Sequence, residues 1–168
     1  HGSDLNVFKP NVDDKPCKPY FLHVSQYQPK KNVDRIIEAY SSLALAEKPA
    51  LVLVVPYYHP ASYMPEGVEV IRTSKSHQEL ITLYRGAVAF LFPSLHETFG
   101  MPIIEAMACG CPVITSNVTA CPEVAGDAAI LVNPRSVGEI ARAMEELMSN
   151  EALRNNLRQK GLERANQF

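Results

Sequence analysis

No stretch of this 168-residue chain approaches the roughly 20 consecutive apolar residues that a membrane-spanning helix needs. Charge of one sign is also lacking. Sixteen basic against eighteen acidic residues give a formal net charge of -2, which argues against general nucleic-acid binding. The four cysteines, Cys17, Cys109, Cys111 and Cys121, lack the C-x-x-C spacing of a zinc site. They are expected to be unpaired thiols in a reducing compartment, with Cys109 and Cys111 around Gly110 serving tight packing rather than metal or redox chemistry. No internal repeat, low-complexity segment or secretory signal peptide is visible, although a chain that begins at His1-Gly2-Ser3 can have its native start further upstream. The first apolar strand is followed by Gln26-Tyr27-Gln28-Pro29-Lys30-Lys31 and not by G-x-G-x-x-G, so the dinucleotide fingerprint of dehydrogenases is missing.

What is present is a regular alternation of apolar runs and amphipathic segments, enough for one substantial core. Tyr20 to Ser25, Leu51 to Val55, Val68 to Ile71, Val88 to Phe92, Val113 to Ser116 and Ala129 to Val132 are predicted strands. Between them, Val33, Ile36, Ile37, Tyr40, Leu43 and Ala44 recur at helical spacing, and Leu80, Leu83 and Tyr84 share a helical face behind a Ser76/Glu79 capping box. A second box, Ser136/Glu139, opens a helix carrying Val137, Ile140, Ala141, Met144 and Leu147. A last helix, Glu151 to Gln167, turns Leu153 and Leu157 inward. Lys9 to Pro19 is predicted to be an extended linker and Tyr57 to Pro65 an irregular loop. Strands that are apolar on both faces and alternate with helices indicate an α/β doubly wound parallel sheet. Ligands of such folds bind beyond the carboxyl ends of the strands, at a switch in strand order. The loops Gln26 to Asn32 and Ser94 to Met101 are therefore the candidate walls of one site.

The second of these loops carries the most information. Glu97 and Glu105 stand with seven residues between them, around a Gly100-Met101-Pro102 turn that leads from a strand into a helix. Pro102 suits the first helical position, and Gly100 permits close approach of a bound group. Amide donors and the positive end of a helix dipole favour an anionic or hydroxyl-rich ligand, and the two carboxylates suit a polyol. Each acid also has a plainer reading: Glu105 can complement the helix dipole, and Glu97 can be an exposed loop acid. Lys31, at a helix start where a cation is mildly unfavourable, is either solvated or a partner for an anion. His96, a lone loop histidine, is left as structural.

Taken together, these segments resemble the C-terminal, donor-binding half of retaining GT-B glycosyltransferases of family 4, the group 1 glycosyltransferases, and the likeness runs nearly end to end. His1-Gly2-Ser3-Asp4 with Phe8 and Pro10 resembles the family's interdomain segment, which places residues 1–19 as interdomain segment and linker and 20–168 as a Rossmann-like nucleotide-sugar-binding domain. FLHVSQYQPKKN, Phe21 to Asn32, is similar to the first strand and phosphate loop, L-x-V-G-R-x-x-x-K-N. Leu83-Tyr84-Arg85-Gly86-Ala87 and Phe92-Pro93-Ser94 match further family segments. Glu97 to Glu105 is the E-x₇-E motif, continued by Ala106, Met107, Ala108, Gly110, Pro112 and Val113. Pro122-Glu123-Val124 and Gly161 to Ala165 extend the likeness to the end. The chain departs from the pattern at Ser25-Gln26, where the family has Gly-Arg, and at Thr98, where glycine is usual.

The resemblance implies the following roles. Lys31 contacts the donor diphosphate, with Gln26 in the neighbouring arginine's place. Glu105 holds the ribose hydroxyls and Glu97 a hydroxyl of the transferred sugar. Thr98 and the backbone of Phe99, Gly100 and Met101 meet the sugar or its phosphate, and Thr73 lies where the base is selected. No metal and no cofactor are implied, the nucleotide-diphosphate sugar (GDP-mannose or a UDP-hexose) being the substrate. The other partners implied are a glycan or lipid-linked acceptor and the chain's own N-terminal domain, which the sequence does not contain; no Trp marks the family's closing helix either. A cytoplasmic location is implied, with peripheral membrane association through the missing domain left open. The fragment alone is expected to be inactive. A nonenzymatic nucleotide-sugar-binding module stays open as an alternative because of Gln26, and a GT-B epimerase stays open as a distant variant.

Overall fold

A computed structural model describes residues 18–60 and 63–168. Cys17, the proposed interdomain segment and all but the last two residues of the predicted linker lie outside the described residues. The six apolar runs form β1 (Tyr20–Val24), β2 (Ala50–Val54), β3 (Val68–Ile71), β4 (Ala89–Phe92), β5 (Val113–Ser116) and β6 (Ala129–Val132). They pair in parallel in the order β3-β2-β1-β4-β5-β6, so the chain works outward from β1 to one edge and then returns to lay β4 on the other side of β1. This is the doubly wound α/β sheet expected from the sequence, and its switch point lies between β1 and β4.

The period of two along each strand sorts the core into two layers. Phe21, Leu51, Leu53, Leu91 and Ile114 pack with helices α1 (Val33–Ser41) and α5 (Val137–Ser149) through Ile36, Tyr40, Ile140 and Met144. Leu22, Val52, Val54, Phe90, Phe92 and Val113 pack with α2 (His77–Gly86) and α3 (Met101–Ala108) through Tyr84, Ile103 and Met107. The short helix α4 (Cys121–Ala125) adds Cys121 and Val124 to this second layer, and α6 (Glu151–Ala165) lies beside α3 with Gly161 against Met107.

Local signals mostly acted as written. Ser76 and Glu79 form the reciprocal capping box at the start of α2, with bonds of 3.1 and 3.2 Å. The second expected box forms only half-way: Ser136 Oγ accepts from the Glu139 amide, but the Glu139 carboxylate accepts from the Asn133 amide, because the turn at residues 133–135 brings that donor within 3.2 Å. Helix α1 stops at Ser41, leaving Leu43 buried but outside it. The three described cysteines are free thiols.

One residue ties the loops together at the carboxyl end of the sheet. Asn32 is 4% exposed and left-handed, with φ 67, a conformation that asparagine tolerates better than most residues. Its Nδ2 donates both hydrogens, to Pro93 O at 2.8 Å and Pro134 O at 2.7 Å. The loops after β1, β4 and β6 are thus joined by one amide. Asn32→Ala should therefore lose about 2 to 4 kcal/mol of stability in urea unfolding, since two buried carbonyls are orphaned. Asn32→Gly, which bears no left-handed strain, should lose nearly as much; a glycine variant as stable as the parent would assign the residue a purely backbone role.

Candidate functional site

The β1–β4 ladder ends at Leu22↔Phe90, whereas β1 stays paired with β2 as far as Val24↔Val54. Beyond Phe90 the two central strands part, and the loops that leave them line the crevice. In the first loop, Pro29–Lys31 winds into a single 3-10 turn that ends on Asn32. The Leu95 amide donates to Lys30 O at 2.8 Å and so ties this turn to the loop after β4.

Across that tie lies an ion pair. Lys31 Nζ donates to Glu97 Oε1 at 2.5 Å, the two side chains being 14% and 8% exposed. The ammonium also lies 5.1 Å from the centre of the Phe92 ring. Glu97 is held from the far side as well: its amide donates to Thr119 Oγ1 at 3.0 Å, and its carbonyl accepts from the Ala120 amide at 3.3 Å. Thr119 reaches it from a left-handed conformation, φ 56. Three loops thus converge on one residue, Lys31 on its carboxylate and the loop of Thr119 and Ala120 on its backbone. The sequence suggested Lys31 and Glu97 on opposite walls of a cleft; the structure brings them into direct contact.

Glu105 sits on α3, with its carboxylate 3.5 Å from the Tyr84 hydroxyl of α2. Burial raises its pKa above the ordinary 4.5, with His77 and the Tyr84 hydroxyl acting in the opposite direction. Tyr84 is itself held well above 10.0, first by burial and then by Glu105. The second acid of the motif therefore leans toward α2, apart from the Lys31–Glu97 pair. Gly100 caps α3 at φ 89, a geometry that favours glycine, and an added Cβ would stand 3.1 Å from Ile103 Cδ1. Met101, and not Pro102, occupies the first helical position. Thr98, Phe99 and Met101 are exposed, Phe99 making an edge contact with Phe168 at 5.9 Å. Gln26 is exposed at the end of β1. Thr73, also exposed, follows edge strand β3, with β2 between that strand and β1. Burial pushes the Cys109 thiol up to about 12 and Cys111 higher still, so both stay protonated and packed.

Sequence reasoning passed over His23, Asn32, Tyr84 and Thr119 as site residues. His23 carried a signal, being the one polar residue in an otherwise apolar strand, and it is fully buried. Its Nδ1 lies 2.7 Å from Leu91 O and its Nε2 2.8 Å from Ser25 Oγ, with the rings of Phe90 and Phe92 alongside at 6.5 and 6.2 Å. Burial, the largest influence, pushes its pKa from 6.5 down to about 4.

The raised pKa of Glu105 makes stability depend on pH with a definite sign. Below 4.5 the carboxyl is protonated in folded and unfolded chains alike and costs nothing. As pH rises past 4.5 the unfolded chain releases its proton first, so the destabilisation from this group grows until the folded pKa is passed and is present in full above it. Glu105→Gln should accordingly be more stable than the parent at pH 7, with the gain fading as pH falls to 4, as read from denaturation midpoints at each pH. A gain independent of pH would contradict the assignment.

Known proteins match the chain over most of its length. The family model described as "Glycosyl transferases group 1" matches residues 18–150. The serotype-specific mannosyltransferase WbdA of Escherichia coli is 33% identical over 94% of this chain and 21% of its own length, so the chain spans about a fifth of that relative. Sucrose-phosphate synthase from Thermosynechococcus elongatus matches with a TM-score of 0.82 and 25% identity, over 99% of this chain and 46% of that one. The C-terminal domain of a glycosyl transferase group 1 family protein from Francisella tularensis matches with a TM-score of 0.80 and 24% identity over 99% of this chain and 97% of that one, a likeness of fold. With most of its length matched by the family model and its sheet superimposable on that of glycosyltransferases, the chain belongs to the group 1 glycosyl transferases.

Proposed function

We propose that this chain is the donor-binding half of a retaining glycosyltransferase, which moves a hexosyl group from a nucleotide-diphosphate sugar to a glycan or lipid-linked acceptor without a metal. The observation that carries the reading is the largely buried Lys31–Glu97 pair at the switch point, a cation and an acceptor held side by side where a doubly wound sheet takes its ligand. Residues 20–168 form the nucleotide-sugar domain in this reading, residues 1–19 lead into it, and the acceptor site belongs to an N-terminal domain outside the chain. GDP-mannose is the favoured donor because the relative WbdA is described as a mannosyltransferase; a UDP-hexose is the second choice. Among the described residues no helix is long and apolar enough to cross a membrane.

The chemistry follows from charge. A nucleoside diphosphate gains negative charge as the glycosidic bond breaks, and a fixed ammonium aimed at it stabilises the transition state. One unit charge at 4 Å contributes about 4 kcal/mol at an effective dielectric of roughly 20. In the structure that charge is already neutralised by Glu97. Donor binding therefore exchanges one partner for another: Lys31 turns to the diphosphate, and Glu97, released, accepts a hydrogen bond from a sugar hydroxyl. Glu105 takes the ribose hydroxyls, its Tyr84 contact at 3.5 Å being long enough to yield. Gln26, Thr98 and the backbone of Phe99, Gly100 and Met101 complete the diphosphate and sugar contacts, and Thr73 lies toward the base.

Isothermal titration of this chain with GDP and UDP tests the reading, and no binding of either at millimolar concentration would end it. Two variants test the division of labour. Glu105→Ala should weaken GDP binding about tenfold, the equivalent of ~1.4 kcal/mol. Glu97→Gln, which frees Lys31 from its competitor, should tighten GDP binding by about the same factor. Weaker GDP binding by Glu97→Gln would mean that the carboxylate orders the lysine for the diphosphate and does not compete with it.

A further inference from the structure

Buried His23 lies behind part-exposed Ser25 where β1 leaves the sheet at the switch point, and the hydrogen-bond donors and acceptors between them can run in one direction only. Leu91 O has no hydrogen to give, so at 2.7 Å it must accept from Nδ1–H. The ring is wholly enclosed and neutral, which leaves Nε2 as a lone pair. At 2.8 Å from Ser25 Oγ, that lone pair must accept the serine proton. The hydroxyl proton of Ser25 is thus turned into the protein, and the part-exposed oxygen offers only lone pairs to the cleft. The geometry is rigid at its base: His23 fills the gap just beyond the last β1–β4 pair, and the Ser25 amide donates to Val54 O at 3.1 Å.

We infer that Ser25 is a fixed hydrogen-bond acceptor that recognises a hydroxyl of the transferred sugar and turns away phosphate oxygens, and that His23 is the positioning residue that sets this polarity. The inference rests on the donor-binding reading above and deepens it. A phosphate oxygen at Ser25 would have to take the proton that His23 holds, leaving a buried Nε2 without a donor. That exchange costs on the order of tenfold in affinity or more. A sugar hydroxyl meets no such cost, because it brings its own proton. Recognition of the diphosphate is thereby left to Lys31 and the neighbouring contacts of Gln26 and the loop backbone, and Ser25 becomes part of the sugar pocket together with Glu97, so that one wall of the cleft distinguishes a sugar nucleotide from its product.

Two measurements test this. Nitrogen-15 NMR of the His23 ring at pH 7 should show the neutral Nδ1–H tautomer, with the Nε2 resonance moving in Ser25→Ala as its donor is lost. An Nε2–H tautomer or an imidazolium would overturn the polarity. Titration with GDP and GDP-mannose should then show that Ser25→Ala leaves GDP affinity within about twofold and lowers that of GDP-mannose about three- to tenfold, while Ser25→Thr keeps the parent ratio. Equal losses for both ligands, or a loss for GDP alone, would overturn the inference while leaving the donor reading intact. If the parent chain binds neither member of that pair, nor UDP and UDP-glucose, the donor reading fails and the recognition role falls with it.

Discussion

The cleft depends on the early parting of two central strands. β1 and β4 share only two register pairs before they separate, although β1 keeps its partner β2 to the end. A gap opened in the middle of a sheet exposes polar backbone that must find partners. His23 Nδ1 takes the Leu91 carbonyl on one side of the gap, and the Asn32 amide takes the Pro93 and Pro134 carbonyls a little further out. Those side chains stand in for ladder hydrogen bonds. They tie together the loops after β1, β4 and β6, and the Lys31–Glu97 contact spans the first two of these.

The electrostatics of the cleft follow the same logic of substitution. A largely buried ammonium and a buried carboxylate are costly alone, and together they satisfy each other until something better arrives. A diphosphate offers Lys31 two negative groups, and a hexose offers Glu97 hydroxyl protons. Glu105 is arranged differently: set on α3 against α2, it sits where burial makes its charge expensive, and ribose hydroxyls would supply the donors that solvent does not. In the proposed reading, binding a sugar nucleotide would relieve several separate costs at once.

Much of this was legible in the sequence, and what was not has a common cause. Strands such as Ala89–Phe92 and Ala50–Val54 announce themselves because a buried parallel strand is apolar on both faces, and Ser76 with Glu79 marks a helix start by chemistry confined to four residues. The E-x₇-E corner was visible because its parts are adjacent in the chain. The Lys31–Glu97 pair joins residues 66 positions apart and the His23–Leu91 bond 68, and spacing along the chain says nothing about such meetings. The Asn133 amide, in place of the Ser136 amide, became the donor to the Glu139 carboxylate because a turn, not a helix rule, set the distance. Helix α4 is only five residues long, too short for a period to show. Thr119 is a surface threonine by every local measure, yet its left-handed backbone brings its hydroxyl to the Glu97 amide.

The central claim is that Lys31 and Glu97 hold each other's places for a diphosphate and a sugar. A crystal structure of this chain with GDP-mannose tests it most directly. The account requires Lys31 Nζ to have left Glu97 Oε1, now 2.5 Å away, for an oxygen of the diphosphate, with Glu97 accepting from a mannose hydroxyl. A donor bound in the crevice with the pair unbroken, or a diphosphate lodged away from the parting of β1 and β4, would contradict it.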